Sequence, residues 1–436
     1  MAESKVLIQT IERLDHRVTI GDVAAGAGLP LHEAQQGVLA LASEVQAHLQ
    51  VSESGEIAYV FPKNIQAVLL SKSWKLRWQA TWEKTWRILF YLIRLSFGIV
   101  LILSLVLIVL AIIALVIAAQ AASQQGNNNQ NRRSGGGMIF LPRMWFGPNM
   151  FRMFDYRYYR RPAAKPAADS EMNFLEAIFS FLFGDGDPNA DLEERRWQAI
   201  AAVVKANGGV VVAEQVAPFL SDLGQGWSKE FEDFMIPVLS RFNGLPQVSP
   251  EGGIVYQFPE LQVTAQERRQ LSPPQSLQEL PRKFSHASSG QIIGAIALGS
   301  ANFIGALALG SLLQDQALVA SAGELVIFVN SIYWLLLGYG SAFLGIPLVR
   351  YFWVQRQNGK MARRNQEREQ RVEALTQLED PVREKLSFAQ TLAGQTIVGT
   401  NDLAYTTETD LVDQEIANKD KIDDEWQRLI ERRQSP

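Results

Sequence analysis

Twenty-five consecutive residues, Leu95 to Ala119, carry no charge. A helix needs about 20 apolar residues to cross the hydrocarbon core of a bilayer, so this run is long enough to span one. Two further runs follow, Gly290 to Leu313 and Leu325 to Val349, separated by a polar connection containing Gln314, Asp315 and Gln316. Within a bilayer every backbone polar group must be satisfied internally, which makes these segments helices. The chain is therefore expected to be an integral membrane protein, mainly α with small β-hairpins, with about three transmembrane helices.

The soluble remainder contains a duplication. Val51 to Pro62 (VSESGEIAYVFP) returns 197 positions later as Val248 to Pro259 (VSPEGGIVYQFP), with identities at Val51/Val248, Ser52/Ser249, Gly55/Gly252, Ile57/Ile254, Tyr59/Tyr256, Phe61/Phe258 and Pro62/Pro259. In each copy a glycine-centred turn is followed by apolar residues at every second position, the pattern of a β-hairpin. Upstream of the first copy lie an apolar helix (Val6, Leu7, Ile11, Leu14), a short segment Val18 to Ile20 and a helix from Asp22. A Gly28-Leu29-Pro30 turn then leads into a third helix carrying Val38, Leu41, Ala42 and Val45. Helix, turn, helix and hairpin is the order of a winged helix. The second copy repeats it with Ile200, Val203 and Val204, then Val210 to Val212, a helix holding Val216 and Ala217, and a third helix with Phe231, Phe234, Met235, Val238 and Leu239. Val23-Ala24 aligns with Val216-Ala217 at an offset of 193, which requires a small indel.

These patterns predict winged-helix-like domains over 1–65 and 191–263. Residues 72–122 hold a Trp-rich juxtamembrane helix and the first span, and 123–190 a flexible linker with an aromatic and arginine-rich segment. Residues 288–353 form a transmembrane hairpin, and 354–436 a charged helical tail with a helical cap from Asp380 and an extended stretch, Asn401 to Thr407.

Charge decides which kind of winged helix is expected, because DNA binding rests on Lys and Arg laid against phosphates. Residues 1–63 hold four basic side chains against eight acidic ones, and residues 191–263 five against ten. The third helix of the first copy, Leu31 to Val45, contains no Lys or Arg. Both modules are expected to bind protein or to be structural, and no nucleic-acid partner is expected.

Lys and Arg near the spans set orientation. The Gln314 connection has none, whereas Arg282 and Lys283 precede the second span and Arg350, Arg356, Lys360, Arg363 and Arg364 follow the third. Those flanks are expected to face the cytoplasm, as is the basic approach to the first span. One crossing by Leu95 to Ala119 would then put the second module on the opposite face. The stretches available for a return, Met138 to Phe151 and Phe174 to Phe183, are too short for an ordinary span, so sidedness stays open, leaning to both modules being cytoplasmic. The chain opens with a polar amphipathic helix, so neither a signal peptide nor a transit peptide is expected ahead of the first module.

Trp74, Trp78, Trp82 and Trp86 recur at intervals of four before the first span. On a helix they form a slowly drifting stripe, either an interfacial anchor among lipid headgroups or core packed on the first module. In the second span Gly290 and Gly294 form a GxxxG, and Gly299 and Gly310 continue the small-residue spacing with Ala295 and Ala306. Such residues let helix backbones approach, with the third span as the ordinary partner and homo-oligomerisation as the sharper alternative.

Chemistry is sparse. The chain has no cysteine, which excludes thiolate catalysis, disulfides and cysteine-ligated zinc or iron–sulfur clusters on these residues. The four histidines, His16, His32, His48 and His286, are scattered, and Gly26 with Gly28 gives a G-x-G lacking the rest of a nucleotide fingerprint. Asp185, Asp187, Asn189 and Asp191 place oxygens at alternate positions, as calcium loops do. Ala190, however, stands where an EF-hand needs its turn glycine and Arg196 where it needs a bidentate Glu. The competing reading is a polar turn capping a helix that begins near Leu192. No catalytic residue, cofactor or metal centre is expected beyond that weak calcium candidate.

The low-complexity run Gln120 to Gly137 reads as a flexible linker. Met138 to Arg161 interleaves eight aromatics with five arginines, a composition suited to anionic lipid.

The motifs Phe183-Gly184-Asp185-Gly186-Asp187-Pro188-Asn189, Arg196-Trp197, Asn207-Gly208-Gly209-Val210-Val211 and Ala213-Glu214-Gln215-Val216-Ala217-Pro218 resemble those of a membrane-protein family shared by cyanobacteria and chloroplasts. The resemblance extends over most of the chain. It implies a photosynthetic host and a thylakoid, envelope or plasma-membrane location. It also brings an iron–sulfur cluster biosynthesis label from plant members, but no catalytic residues.

The sequence thus leads to a non-enzymatic membrane scaffold or assembly factor that recruits protein partners to a thylakoid or plastid-type membrane, contacting membrane lipids. The alternatives are a membrane-tethered transcriptional regulator and a transporter-type membrane protein. Basic residues on the third helices would have favoured the first of these, and buried ionisable residues within the spans the second.

Overall fold

The computed structural model describes residues 2–72, 74–125, 172–225, 230–266, 273–376, 380–399, 403–414, 416 and 426. In chain order the elements are α1 (Ala2–Arg13), β1 (Arg17–Val18), α2 (Ile20–Ala27), α3 (Leu31–Val45), β2 (His48–Ser52), β3 (Ile57–Val60), α4 (Ile65–Lys72), α5 (Trp74–Gln125) and α6 (Phe174–Phe183). There follow α7 (Leu192–Ala206), β4 (Val210–Val211), α8 (Ala213–Val216), α9 (Ile236–Phe242), β5 (Leu245–Val248), β6 (Ile254–Gln257), α10 (Pro259–Gln262) and β7 (Val263–Thr264). The last are α11 (Ser289–Leu312), α12 (Gln316–Ser321), α13 (Glu324–Ser331), α14 (Tyr333–Thr376), α15 (Asp380–Leu392), β8 (Thr396–Ile397) and β9 (Leu403–Thr406). The protein is mainly helical with small sheets. It divides into two compact units, one built from Met1–Thr85, Asp187–Arg282 and Arg356–Pro436, the other from Trp86–Gly186 and Lys283–Gln355.

In the first unit the two copies of the repeat fold with matching backbones. The β2–β3 and β5–β6 hairpins are both antiparallel. Ser52 N donates to Glu56 O at 2.9 Å and Gly55 N to Ser52 O at 2.9 Å; the equivalents are Ser249 N to Gly253 O at 2.8 Å and Gly252 N to Ser249 O at 2.9 Å. Gly55 and Gly252 both sit at φ 86°, where a side chain would be strained, which is why the turn retains glycine. The helix before each hairpin ends on a left-handed residue, Gln46 (φ 58°) or Asn243 (φ 52°). Each module encloses its own core: Leu7, Ile11, Val38, Tyr59 and Phe61 in the first, and Ile200, Val204, Phe242, Tyr256 and Phe258 in the second.

The copies differ where prolines fall. In the second module α8 lasts one turn before a 3-10 segment, Ala217–Phe219, that contains Pro218. The expected third helix from Phe231 begins instead at Ile236, with Pro237 in its first turn, a position where the missing N–H costs nothing. Phe231 is left outside the core, 57% exposed.

Within this unit the modules pack directly on each other through α2. Gly21 of α2 lies so close to the Glu260 carbonyl of α10 that a Cβ there would overlap it. Ala25 joins the core of the second module. The tail then binds both modules. Its helix α15 buries Ala389 against Val210, Val212 and Val255, while β8 pairs in parallel with β7 and β9 pairs antiparallel with β2. The result is a four-stranded sheet in the order β1-β3-β2-β9 on the first module and a three-stranded sheet, β4-β6-β5, on the second.

The second unit holds the apolar helices. Thr85–Ala122, Ser289–Leu312 and Tyr333–Thr376 are long and apolar enough to cross a membrane. The expected third span from Leu325 is corrected: the run breaks at Ile332 into the eight-residue α13 and then α14. Bending there folds Val326 and Val329 of α13 into a core with Ile108, Leu115, Ala306 and Leu309. The separate charged helix expected from Arg356 is likewise corrected, because α14 continues without a stop to Thr376. The short apolar helix α6 packs its Ile178, Phe181 and Leu182 against Leu101, Ala295 and Phe343. Its C-terminal carbonyls at Ser180 and Phe181 accept hydrogen bonds from Arg350 Nη1 at 3.4 and 3.0 Å, a cation on the negative end of a helix dipole.

Candidate functional site

The junction between the two modules is organised around one carboxylate. Asp22 sits in the first turn of α2, where it and Thr19 cap each other: Asp22 N donates to Thr19 Oγ1 at 3.1 Å and Thr19 N to Asp22 Oδ2 at 3.2 Å. The same carboxylate accepts from Thr264 Oγ1 at 3.0 Å and Ala265 N at 2.8 Å, and it pairs with Lys205 of α7. Burial would push its pKa up, but Lys205 and these donors outweigh burial and hold it below the usual carboxylate value. A second link runs from Arg241 of α9, which stacks 4.4 Å over the Trp197 ring and donates through Nε and Nη2 to the Gly28 carbonyl at 3.0 and 2.6 Å. Gly28 is the left-handed cap of α2 at φ 67°, and Gly26 of the same helix lies close against the Thr10 side chain.

That junction determines what the third helices present outward. On α3 the exposed positions include His32, Gln35, Gln36, Leu39, Ser43 and Glu44, with no cation among them. On α9 the single cation, Arg241, is consumed in the junction. Ile236 is 60% exposed there.

The two sheets end differently. In the first module Leu49 N donates to Thr407 Oγ1 at 2.8 Å, and Thr407 N donates back to Leu49 O at 3.0 Å, so the outer edge of β2 is occupied by the tail. The residue 197 positions on is Pro246 in β5, which has no N–H to offer. Among the described residues no strand adds to that edge.

The tail is fastened to the second module by charge. Lys385 Nζ reaches Glu214 at 3.0 Å and Glu232 at 2.7 Å; burial would lower its pKa, but the two carboxylates outweigh that and raise it. Arg368 is 1% exposed and pairs with Glu279 at 3.0 Å. Arg364 also grips Glu279, whose pKa is lowered chiefly by that hydrogen bond. Sequence reasoning missed these pairs, because each joins residues far apart in the chain and neither partner stands in a motif.

The sequence candidates fall as follows. In the second unit Asp185 is bonded by Arg94 at 2.8 Å and by His286 N at 2.8 Å. In the first unit Asp187 pairs with Arg282, Asn189 exchanges hydrogen bonds with the backbone of Leu280, and Asp191 pairs with Arg195 at 3.1 Å. Each calcium candidate is thus engaged by a hydrogen bond or an ion pair, and among the described residues no group of three His, Cys, Asp or Glu side chains converges. All four tryptophans of the stripe lie on α5. Trp82 and Trp86 are 61% and 54% exposed, so neither is core of the first module; the side chains of Trp74 and Trp78 lie outside the described residues. Gly299 touches Phe343 and Gly310 touches Tyr333, both of α14, while Gly294 meets Phe174 of α6 and Gly290 faces open space. Asn302 is fully buried and donates to Ser104 of α5, whereas Asn330 is exposed. The aromatic and arginine-rich segment, Met138 to Arg161, lies outside the described residues.

The class so defined is a mainly helical protein with three helices able to cross a membrane and small sheets in a separate unit. It is 34% identical, over 436 residues, to the uncharacterized chloroplastic protein At5g03900 of Arabidopsis thaliana, covering 97% of this chain and 81% of the relative. The chain belongs to the family of that chloroplastic protein. No family model matches the chain, and no solved structure matches it.

Proposed function

We propose that the protein is a non-enzymatic membrane scaffold or assembly factor. Its two repeats, read as winged-helix-like modules, form one platform on one face of a thylakoid or other plastid-type membrane, or of a cyanobacterial thylakoid or plasma membrane. The observation that carries this reading is the fate of the third helices. A nucleic-acid reader would aim cations outward from them, yet α3 has none and α9 commits Arg241 to Gly28 and Trp197. Surfaces of mixed apolar and uncharged polar character, such as Leu39 with Gln35 and Gln36, suit protein partners. The chloroplastic relative supports the plastid setting. The iron–sulfur label carried by the resemblance fits only an assisting role, since the chain offers no thiolate to hold a cluster.

The test is affinity purification of the tagged protein from its native membrane in mild detergent, followed by mass spectrometry. A defined set of membrane-complex or biogenesis subunits, lost when α3 is altered by Leu39→Glu, is the expected result. Recovery of the protein alone, or of itself as an oligomer, overturns the reading. A salt-sensitive shift of DNA by the full chain would instead revive the regulator.

A further inference from the structure

We propose that the outer edge of β2 is a strand-addition site, that β9 is a displaceable occupant, and that its partner is an extended segment of another protein bearing a hydroxyl residue opposite Leu49 followed by a carboxylate. The inference deepens the scaffold reading and rests on it.

The way β9 is held motivates the proposal. Its pairs are Gln50 with Thr406, Val51 with Tyr405 and Ser52 with Leu403, and the register slips between Val51 and Ser52, so Ala404 bulges out of the ladder. Ala404 and Tyr405 are exposed. Recognition therefore falls to main-chain bonds, to Thr407 on Leu49, and to Glu408, which accepts from Gln50 Nε2 at 3.1 Å. Gln50 in turn accepts from Arg17 Nε at 2.8 Å, which aligns Arg17, Gln50 and Glu408 across the sheet. Leu403 alone of this strand packs inward, beside Ala58, Val263 and Val398. Strand addition works in this way generally, with backbone bonds supplying affinity and a few side chains supplying choice.

The second module supplies the internal control. Its edge carries Pro246 where the first has Leu49, and a proline on an edge strand withdraws the donor that an added strand needs. One edge is shut by covalent chemistry and the other by a tether. A second copy's identical tail would have to compete with a strand already held at high effective concentration. A foreign segment faces the same competition, but one that pairs from Leu49 to Ser52 without the slip makes a continuous ladder that neither β9 nor its copy can make, and that favours a different protein as the occupant.

Two measurements on the full chain in detergent test this. In hydrogen exchange, the outward amides of Leu49 and Val51 should exchange about tenfold faster than the inward amides of Gln50 and Ser52. Equal protection within β2 overturns the proposal. In the second measurement, a labelled peptide with the sequence of residues 401–410 should bind a Thr407→Pro chain about tenfold more tightly than the unaltered chain, and binding should vanish on adding Leu49→Pro. Peptide binding that survives Leu49→Pro overturns it, as does concentration-dependent dimerisation through exchanged tails. If partners still co-purify with the Leu49→Pro chain, the edge proposal fails while the scaffold reading stands; if none co-purify with the unaltered chain, the scaffold reading itself fails.

Discussion

The two modules share a turn, a hairpin register and a cap, yet they are stabilised by different neighbours. Ala58 and Val255 are equivalent positions on the central strand of each sheet, and both are fully buried on the face away from the module's own core. Over Ala58 lie Val263, Ala265 and Val398; over Val255 lies the amphipathic helix α15. The same folding unit has thus been given a strand as its cover in one case and a helix in the other. Internal duplication fixed the backbone, and the tail made the copies unequal.

The largest break in that pairing should come from the shared junction. Asp22→Ala takes the Asp22 carboxylate from Lys205 and removes the acceptor of Thr19 N from the capping box of α2, and removal of one member of a buried ion pair costs about 3–5 kcal/mol. Denaturant unfolding of the detergent-solubilised chain should show the loss in both modules together. A variant in which only the first module weakens would mean that they are not one cooperative body.

Lys385→Met should be smaller and one-sided. Losing hydrogen bonds to two carboxylates costs about 1.5–3 kcal/mol per strong bond, partly offset where a bond is solvent-accessible, and the effect should release α15 from the second module only. Limited proteolysis between residues 376 and 400 reads this out. The two junctions should also part company with pH. Asp22 has a folded pKa below its unfolded one, so its contribution is present above the unfolded value near 3.9 and is lost as pH falls through the folded value. Lys385 has a folded pKa above its unfolded one, so its contribution is present below about 10.4 and is lost as pH rises through the folded value. Acid should loosen the module junction, and strong alkali the tail.

Gly55→Ala and Gly252→Ala sharpen the comparison from the other side. Both replace a glycine at φ 86° with open space around it, so each should cost the same amount, about 1–2 kcal/mol, from backbone strain alone. Unequal costs would show that the hairpins carry unequal shares of stability. Pro246→Leu should change stability least, within about 0.5 kcal/mol, while giving the second edge the N–H it lacks. Its expected signature is new binding of the 401–410 peptide.

The sequence disclosed these features unevenly. The hairpins were readable because alternation and turn glycines are local and occur twice. The Thr19-x-x-Asp22 cap was readable in principle, and so was the helix start at Pro237. The pairing of β2 with β9 was not, since strands some 350 residues apart leave no shared periodicity; only the extended character of Asn401 to Thr407 could be seen. Pro246 became meaningful once the register assigned it to an outward position. The break at Ile332 lies inside an apolar run with no glycine or proline beside it, so hydropathy alone drew one span where there are two helices. Lys205 and Arg241 looked like ordinary surface cations because their partners, Asp22 and Gly28, belong to the other copy.

The central claim is that both modules form one platform on one face of the membrane. The chain has no cysteine, so single substitutions report cleanly. Ser43→Cys on α3 and Ser240→Cys on α9, both at exposed positions, can each be challenged with a membrane-impermeant maleimide in sealed vesicles of known orientation. The account predicts that both label from the same side and that neither labels from the other. Labelling from opposite sides would contradict it.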